Sequence, residues 1–162
     1  MELQEKLEAQ FKRYRIAKGD FDEAIDYLEH LTHKQEFAIQ GALLVAAIIA
    51  YSRPFVVSRS EKSKNAAATI SVKGLHLEGE AKDLHKAIRE IRNEALAHSE
   101  YARYPVKIVN RGDTGFLLSA SRFNILSQPI SRRLFKKLCK LMSKHCESRL
   151  FSLNREMNRR GI

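Results

Sequence analysis

The chain has 162 residues, of which 44% are hydrophobic and 30% charged, and it contains only three prolines and seven glycines. This length fits one domain with a sizeable core, and the composition argues against long disordered segments. The excess of Lys and Arg gives a formal net charge of +10, which favours a polyanionic partner, nucleic acid before an anionic membrane.

Cysteine usage and hydropathy point to the cytoplasm. Cys139 and Cys146, the only two cysteines, lie seven residues apart, and this spacing is typical of neither a disulfide staple nor a zinc knuckle. Residues 1–18 are charged throughout, so no signal peptide is expected. The most apolar run, residues 42–51, is far shorter than the ~20 residues of a membrane-spanning helix, and it predicts a buried central helix.

The first half of the chain predicts three helices. Apolar residues at helical spacing indicate a first helix over residues 2–17, which Gly19 ends. Asp20 with Glu23, and Thr32 with the glutamine three residues later, form capping-box patterns that open the second and third helices. Pro54 ends the third helix, because proline breaks the helical hydrogen-bond ladder.

The second half predicts a loop, two helices and a hairpin. Residues 58–74 are small, polar and aperiodic, which is typical of a flexible loop. A helix follows from Leu77 to His98, then two short strands within residues 106–120, then a basic helix over about 128–158 capped by Ser127. The prediction is a single domain over residues 1–162: a mainly α bundle of about five helices with a small β-hairpin.

The last helix carries much of the positive charge. Residues 131–160 contain ten Lys and Arg against two Glu, and five of the cations recur at helical spacing: Arg133, Lys136, Lys137, Lys140 and Lys144. This face is a candidate surface for nucleic acid. The alternative is a solvated face, since no aromatic residue is interleaved with the cations on this face between residues 133 and 144, as a stacking surface would require.

Known phosphate-loop, serine-hydrolase and zinc-protease motifs are missing from the sequence, which leaves residues 92–98 as the candidate for chemistry. Arg92 is followed directly by Asn93, and His98 comes six residues after Arg92 at the end of the amphipathic helix. No cluster of metal-ligand spacing accompanies them, so neither a metal nor another cofactor is expected.

This motif resembles that of the HEPN superfamily, small helical domains that are usually dimeric and often metal-independent ribonucleases. The family pattern is an Arg, four to six residues and a His, and here it maps to Arg92, Asn93 and His98. The branch paired with a nucleotidyltransferase antitoxin has Arg-x4-His-x-Tyr, whereas this chain has five intervening residues and Tyr101 three past the His. The helix end Tyr-x-Arg-Pro-Phe at residues 51–55 is more similar to HEPN proteins of the abortive-infection type.

The resemblance implies a homodimeric ribonuclease in a defence or toxin–antitoxin setting, with RNA as substrate and an antitoxin protein as a possible partner. Arg53, Glu94 and Tyr101 are the further candidates for substrate contact. On an α-helix six residues span about 9 Å of rise and about 240° of turn, so one copy of the motif forms half a site. Two such helices related by a two-fold axis would bring both copies into one cleft.

The chemistry follows from the residue types. RNA supplies its own nucleophile, the 2′-hydroxyl, and an imidazole such as His98 titrates near neutral pH and suits proton transfer. The guanidinium of Arg92 suits the charge that develops on the phosphate, and Asn93 is expected to orient the phosphate or the imidazole. Glu94, four residues before the histidine, is placed to hold its ring.

A structural interpretation competes with the catalytic one. His98 also continues an apolar stripe, so it fits a core histidine stabilised by the helix dipole, and Arg92 fits a solvated flank residue. Arg53 equally fits a cation at a helix end whose stem covers apolar surface. The alternative function is a non-catalytic HEPN-like module for dimerisation or nucleic-acid binding.

Overall fold

The computed structural model describes residues 2–56, 70, 72, 75, 77–97, 106–110, 116–120 and 123–161. The predicted loop at 58–74 lies almost wholly outside this part of the chain. Four α-helices are present in the described residues: α1 (Glu2–His30), α2 (Phe37–Ser52), α3 (Gly79–Ile91) and α4 (Arg132–Arg159). Three short elements accompany them: 3-10 turns at Arg53–Phe55 and Ile125–Ser127, and a π-helical segment at Arg92–Ala97.

The mainly helical bundle predicted from the sequence is confirmed, but the number of helices is not. The first two predicted helices are one continuous helix, α1, because its buried stripe of Ala17, Phe21, Ala24 and Leu28 runs straight past Gly19. A glycine inside a helix costs only about 1 kcal/mol, which burial of this stripe outweighs. Asp20 and Glu23 are therefore not a capping box; they lie within the helix.

Helix α4 begins later than predicted. Ser131, rather than Ser127, is its N-cap, and its side chain accepts a hydrogen bond from the backbone N–H of Leu134 at 3.4 Å. Ser127 instead ends the preceding 3-10 turn, so the basic helix occupies Arg132–Arg159. Pro54 does end α2, and it lies in the 3-10 turn that follows.

Two strands pair with each other. β1 (Val106–Asn110) and β2 (Phe116–Ala120) form an antiparallel two-stranded sheet, with Val106 opposite Ala120 and Asn110 opposite Phe116.

The bundle is organised around α1, which packs most extensively against α4 and next against α2. Two side-chain contacts fix the first pair as antiparallel: Ser143 donates to Asp22 at 2.6 Å, and Lys136 pairs with Glu29 at 2.7 Å. Higher numbers on one helix thus meet lower numbers on the other.

An aromatic cluster fills the centre of the core. Tyr51, fully buried at the end of α2, has its ring centroid 5.4 Å from Phe135, 5.5 Å from Phe21 and 5.6 Å from Phe55. Such tilted and edge-to-face ring pairs add to the stabilisation from area burial. The cluster ties α1, α2 and α4 together and places the C-terminal end of α2 beside α3.

One stretch among the described residues, Phe37–Phe55, is long and apolar enough to cross a membrane by length and composition, and 44% of its most apolar window is buried inside the bundle. A core helix meets the same criteria, so the finding is weak evidence for a membrane span.

Candidate functional site

The proposed motif begins where α3 changes its hydrogen-bonding pattern. The α-helix ends at Ile91, and Arg92–Ala97 continue it as a π-helix. Isolated π-helical turns are rare and are frequently found at functional sites. The α-helical geometry assumed from the sequence therefore does not apply to Arg92–Ala97.

The first two residues of the motif are joined to each other. The Nη1 group of Arg92 donates a hydrogen bond to Oδ1 of Asn93 at 3.0 Å. Asn93 is exposed and Arg92 is half-buried, so both polar groups lie at the surface of the bundle. A guanidinium has five N–H donors in a fixed plane, and this bond uses one of them. The π segment also contacts α2, which connects the motif to the bundle.

The remaining motif residues are described only in part. Glu94 lies in the π segment, is half-buried and has an interaction partner. His98 and Tyr101 lie outside the described residues, so the predicted meeting of imidazole and guanidinium stays a prediction.

Arg53 is engaged in a different way from that expected of a phosphate contact. Its Nη1 donates to Oδ1 of Asp20 at 3.2 Å and also to Oε2 of Glu23. Burial raises the pKa of Asp20 despite the nearby guanidinium. The pKa of Glu23, which is more exposed, is lowered by the Tyr27 hydroxyl and then by Arg53.

These two carboxylates compensate the positive charge of Arg53. Its observed role is to fasten the end of α2 to α1, and a substrate phosphate would have to compete with both acids for the guanidinium. We therefore leave Arg53 out of the proposed site.

The basic face predicted on the last helix divides into two parts. Four of its cations are exposed on one side of α4: Arg133, Lys137, Lys140 and Lys144. We call these four residues the basic stripe. The fifth, Lys136, is paired with Glu29 and belongs to the α1–α4 contact.

The basic stripe has an aromatic neighbour that the sequence analysis missed. Phe151, seven residues beyond Lys144 on the same face, is 64% exposed. The guanidinium carbon of Arg155 lies 6.0 Å from the centre of its ring. Aromatic rings beside cations provide stacking surfaces for unpaired bases.

The two thiols are excluded from chemistry by their surroundings. Cys139 and Cys146 are free and fully buried. Burial raises the pKa of both, that of Cys146 to about 12. Reactive cysteines require an accessible thiolate, so these two act as core residues. Within the part of the chain that the structure describes, no group of three or more His, Cys, Asp or Glu side chains is arranged to hold a metal ion.

A second histidine, which the sequence analysis did not consider, has the most perturbed imidazole among the described residues. His85 on α3 is 8% exposed, and its Nδ1 lies 2.7 Å from the hydroxyl of Tyr51. Burial, with a contribution from the charge of Arg89, lowers the pKa of His85 to about 4. The only sequence signal is the shared helical face of residues 85, 89 and 93, because Tyr51 is 34 residues away.

No family model, characterised protein or solved structure that was compared with this chain matches it.

Proposed function

We propose that this chain is a metal-independent endoribonuclease of the HEPN type that acts as a homodimer in a defence or toxin–antitoxin setting. The observation that carries the proposal is the surface pair of Arg92 and Asn93, which opens a π-helical turn whose last residue, Ala97, precedes His98 in the sequence. A hydrogen bond between adjacent side chains holds the guanidinium in a defined orientation. This supports a role for Arg92 in binding phosphate over the alternative that it is a solvated surface residue.

The reaction needs a nucleophile, a base, an acid and a group that stabilises negative charge. The RNA supplies the nucleophile, because its 2′-oxygen lies next to the phosphate that is attacked. His98 takes the proton of the 2′-hydroxyl while the 2′-oxygen forms a bond to phosphorus. The bond from phosphorus to the 5′-oxygen breaks, and this oxygen receives the proton that the same imidazole has taken from the 2′-hydroxyl.

Arg92 acts on the charge rather than on the proton. Its guanidinium forks onto the non-bridging oxygens, whose negative charge grows as the fifth bond to phosphorus forms. Asn93 accepts one bond from this guanidinium and keeps its own amide N–H groups for the phosphate or the imidazole. The products are a 2′,3′-cyclic phosphate and a 5′-hydroxyl, and the one proton that moves passes from the 2′-oxygen to the 5′-oxygen through His98.

The proposal is tested by RNA cleavage in the presence of EDTA. We expect Arg92→Ala to slow cleavage by about 10²–10³-fold and His98→Ala by about 10²–10⁴-fold, the ranges for losing a charge-stabilising group and a proton-transfer group. Arg15→Ala is the matched control, because it removes an exposed arginine from α1 far along the chain from the motif. Circular dichroism and thermal melting of each variant check that it folds.

The products provide a second criterion. A 2′,3′-cyclic phosphate end identifies attack by the 2′-oxygen, whereas a 3′-hydroxyl end would contradict the mechanism. Equal cleavage by all four proteins would assign the activity to a contaminating nuclease.

The second candidate function is a non-catalytic module that binds RNA through the basic stripe. It is favoured by the four exposed cations on one side of α4 and by the exposed ring of Phe151 beside them. The triple variant Lys137→Gln, Lys140→Gln and Lys144→Gln tests it. If each lysine neutralises one phosphate of a single strand, the slope of log affinity against log salt concentration should become shallower by about 2.

The two candidates give opposite patterns. The nuclease loses cleavage in the Arg92 and His98 variants while RNA binding persists. The module binds RNA without cleaving it, and its binding responds to the lysines and not to the motif.

A further inference from the structure

Helix α3 and the π-helical segment that continues it present a row of polar groups to a cleft of about 600 Å³. His85, Arg89 and Asn93 are spaced four residues apart, so they lie on the same side of the helix, and all three line the cleft. Two apolar side chains, Val72 and Leu77, form part of its wall. The cleft thus combines polar groups aligned along one helix with an apolar surface, the composition typical of small-molecule sites.

The protonation of His85 follows from its partner. Tyr51 is fully buried, and its hydroxyl hydrogen bonds to Nδ1 of His85 at 2.7 Å. Among the described residues the Tyr51 hydroxyl has no other acceptor for its proton, and a buried donor left unpaired is costly, so we assign Nδ1 of His85 as the acceptor. In a neutral imidazole the other nitrogen, Nε2, then carries the hydrogen, and the low pKa of His85 keeps the ring neutral near pH 7. His85 therefore offers the cleft an uncharged N–H donor of fixed orientation.

The other two aligned residues also offer donors. Arg89 is exposed, its guanidinium carbon lies 5.5 Å from the centre of the Phe55 ring, and no carboxylate of the described residues pairs with it. The Oδ1 atom of Asn93 already accepts from Arg92, which leaves its amide N–H groups as the available side.

The charged residues that line the cleft leave one positive charge uncompensated. Lys86 and Glu90 compensate each other at 3.7 Å. Lys82 and Asp83, both exposed, also line the cleft and are opposite in charge. Arg89 remains as the cation without a counter-charge among the described lining residues.

We propose that this cleft is a binding site for a small organic oxyanion, in which Arg89, the Nε2–H group of His85 and the amide of Asn93 bind the anionic head while Val72 and Leu77 contact an apolar body. A phosphate monoester and a carboxylate share the required head chemistry, since both present only acceptor oxygens. The cleft shares Asn93 with the proposed ribonuclease site, but anion binding through Arg89 and His85 does not require cleavage of RNA.

The test uses the full chain and three aromatic probes: phenyl phosphate, benzoate and uncharged benzyl alcohol. Titration followed by ¹H–¹⁵N NMR reports the amides of α3 and the imidazole nitrogens of His85. We expect saturable binding of at least one anion, with a Kd on the order of 1 mM for a ligand of this size, and a shift of the His85 Nε2 resonance. The comparison of phenyl phosphate with benzoate identifies the preferred head group.

Two arginine variants make the result specific. Arg89→Met replaces an exposed side chain without removing its apolar stem, so folding should be retained, and we expect anion binding at least tenfold weaker. Arg133→Met on α4 is the matched control and should bind like the wild type. The proposal is overturned if neither anion saturates, if benzyl alcohol binds as tightly as the anions, or if both variants match the wild type.

Discussion

Acidification should destabilise the protein through His85, in a pH window set by its burial. In the unfolded chain this imidazole has an ordinary pKa of about 6.5, whereas in the folded protein burial and the charge of Arg89 lower it to about 4. Between these values the unfolded state binds a proton that the folded state does not. The free energy of unfolding therefore falls as the pH falls from 6.5 to 4, and this contribution is fully present above 6.5.

The size of the effect follows from the difference between the two pKa values. At 1.36 kcal/mol per pH unit for one proton, lowering the pKa from 6.5 to about 4 corresponds to about 3 kcal/mol. That is a large part of the 5–15 kcal/mol by which a domain is usually stable. The measurement is urea unfolding at pH values from 7.5 to 4 for the wild type and for His85→Gln, because subtracting the two curves cancels every other titrating group.

The difference between the two stability curves, plotted against pH, tests this prediction. We expect the advantage of the wild type over His85→Gln to shrink by about 3 kcal/mol between pH 7 and pH 4. His33→Gln is the matched control for the substitution itself, because it removes an exposed imidazole instead of a buried one. Parallel curves for the wild type and His85→Gln would refute the reasoning. If the variant does not fold, NMR titration of His85 in the wild type gives its pKa directly. A pKa near 6.5 would also refute the reasoning.

Three further predictions concern the bundle itself. Cys139 and Cys146 should not react with a thiol reagent such as DTNB in the native protein and should both react at the unfolding midpoint, because burial raises the pKa of both thiols. Ser143→Ala should lower the free energy of unfolding by about 2 kcal/mol in urea titration, since Asp22 loses a short charge-assisted hydrogen bond across α1 and α4. Arg53→Met should cost about 1 kcal/mol in thermal melts at pH 7, because its pairs are partly exposed, and an unchanged melting temperature would contradict the bridging role.

The helical bundle was predictable because apolar periodicity reports burial directly, but single residues were misleading as boundary signals. Gly19 and the acids after it looked like the end of one helix and the start of the next. Nothing lies within 4 Å of a side chain added at Gly19, so packing does not require the glycine there. The buried stripe continues across it and decides the structure, while the two acids serve Arg53 instead.

Apolar periodicity was a less reliable guide to the buried face of α4. Leu141 lies at helical spacing from Leu134 and Leu138 and so fits an apolar stripe, but it is 43% exposed, whereas Cys139, Met142 and Cys146 are fully buried. Helical spacing alone allows a stripe to be displaced by one residue, about 100° around the helix. Contact with the long α1 selects the actual face, and that contact depends on a residue pairing distant in sequence.

In the candidate site, too, features that are local in the sequence could be predicted and features that depend on distant contacts could not. Arg92 and Asn93 could be singled out because they are neighbours in the sequence, and they are neighbours in space. The π-helical turn between them and His98 could not be predicted, since periodicity does not distinguish one widened turn within an amphipathic helix. Nor could the pair of Tyr51 and His85, which forms only because α2 and α3 meet in the core.

The strongest test of the proposed site exploits its need for two copies. If Arg92 and His98 of both protomers act in one cleft, neither homodimeric variant can cleave efficiently, because Arg92→Ala lacks both guanidinium groups and His98→Ala lacks both imidazoles. A mixed dimer of the two variants keeps one intact Arg92 and one intact His98 in the shared cleft. Unfolding and refolding the variants together, with separate tags for purifying the mixed species, should therefore restore cleavage well above that of either parent. Two control mixtures, each variant refolded with itself, should stay inactive. A mixed dimer as inactive as its parents would show that the motif does not work across a two-fold axis, even if both single variants had lost activity.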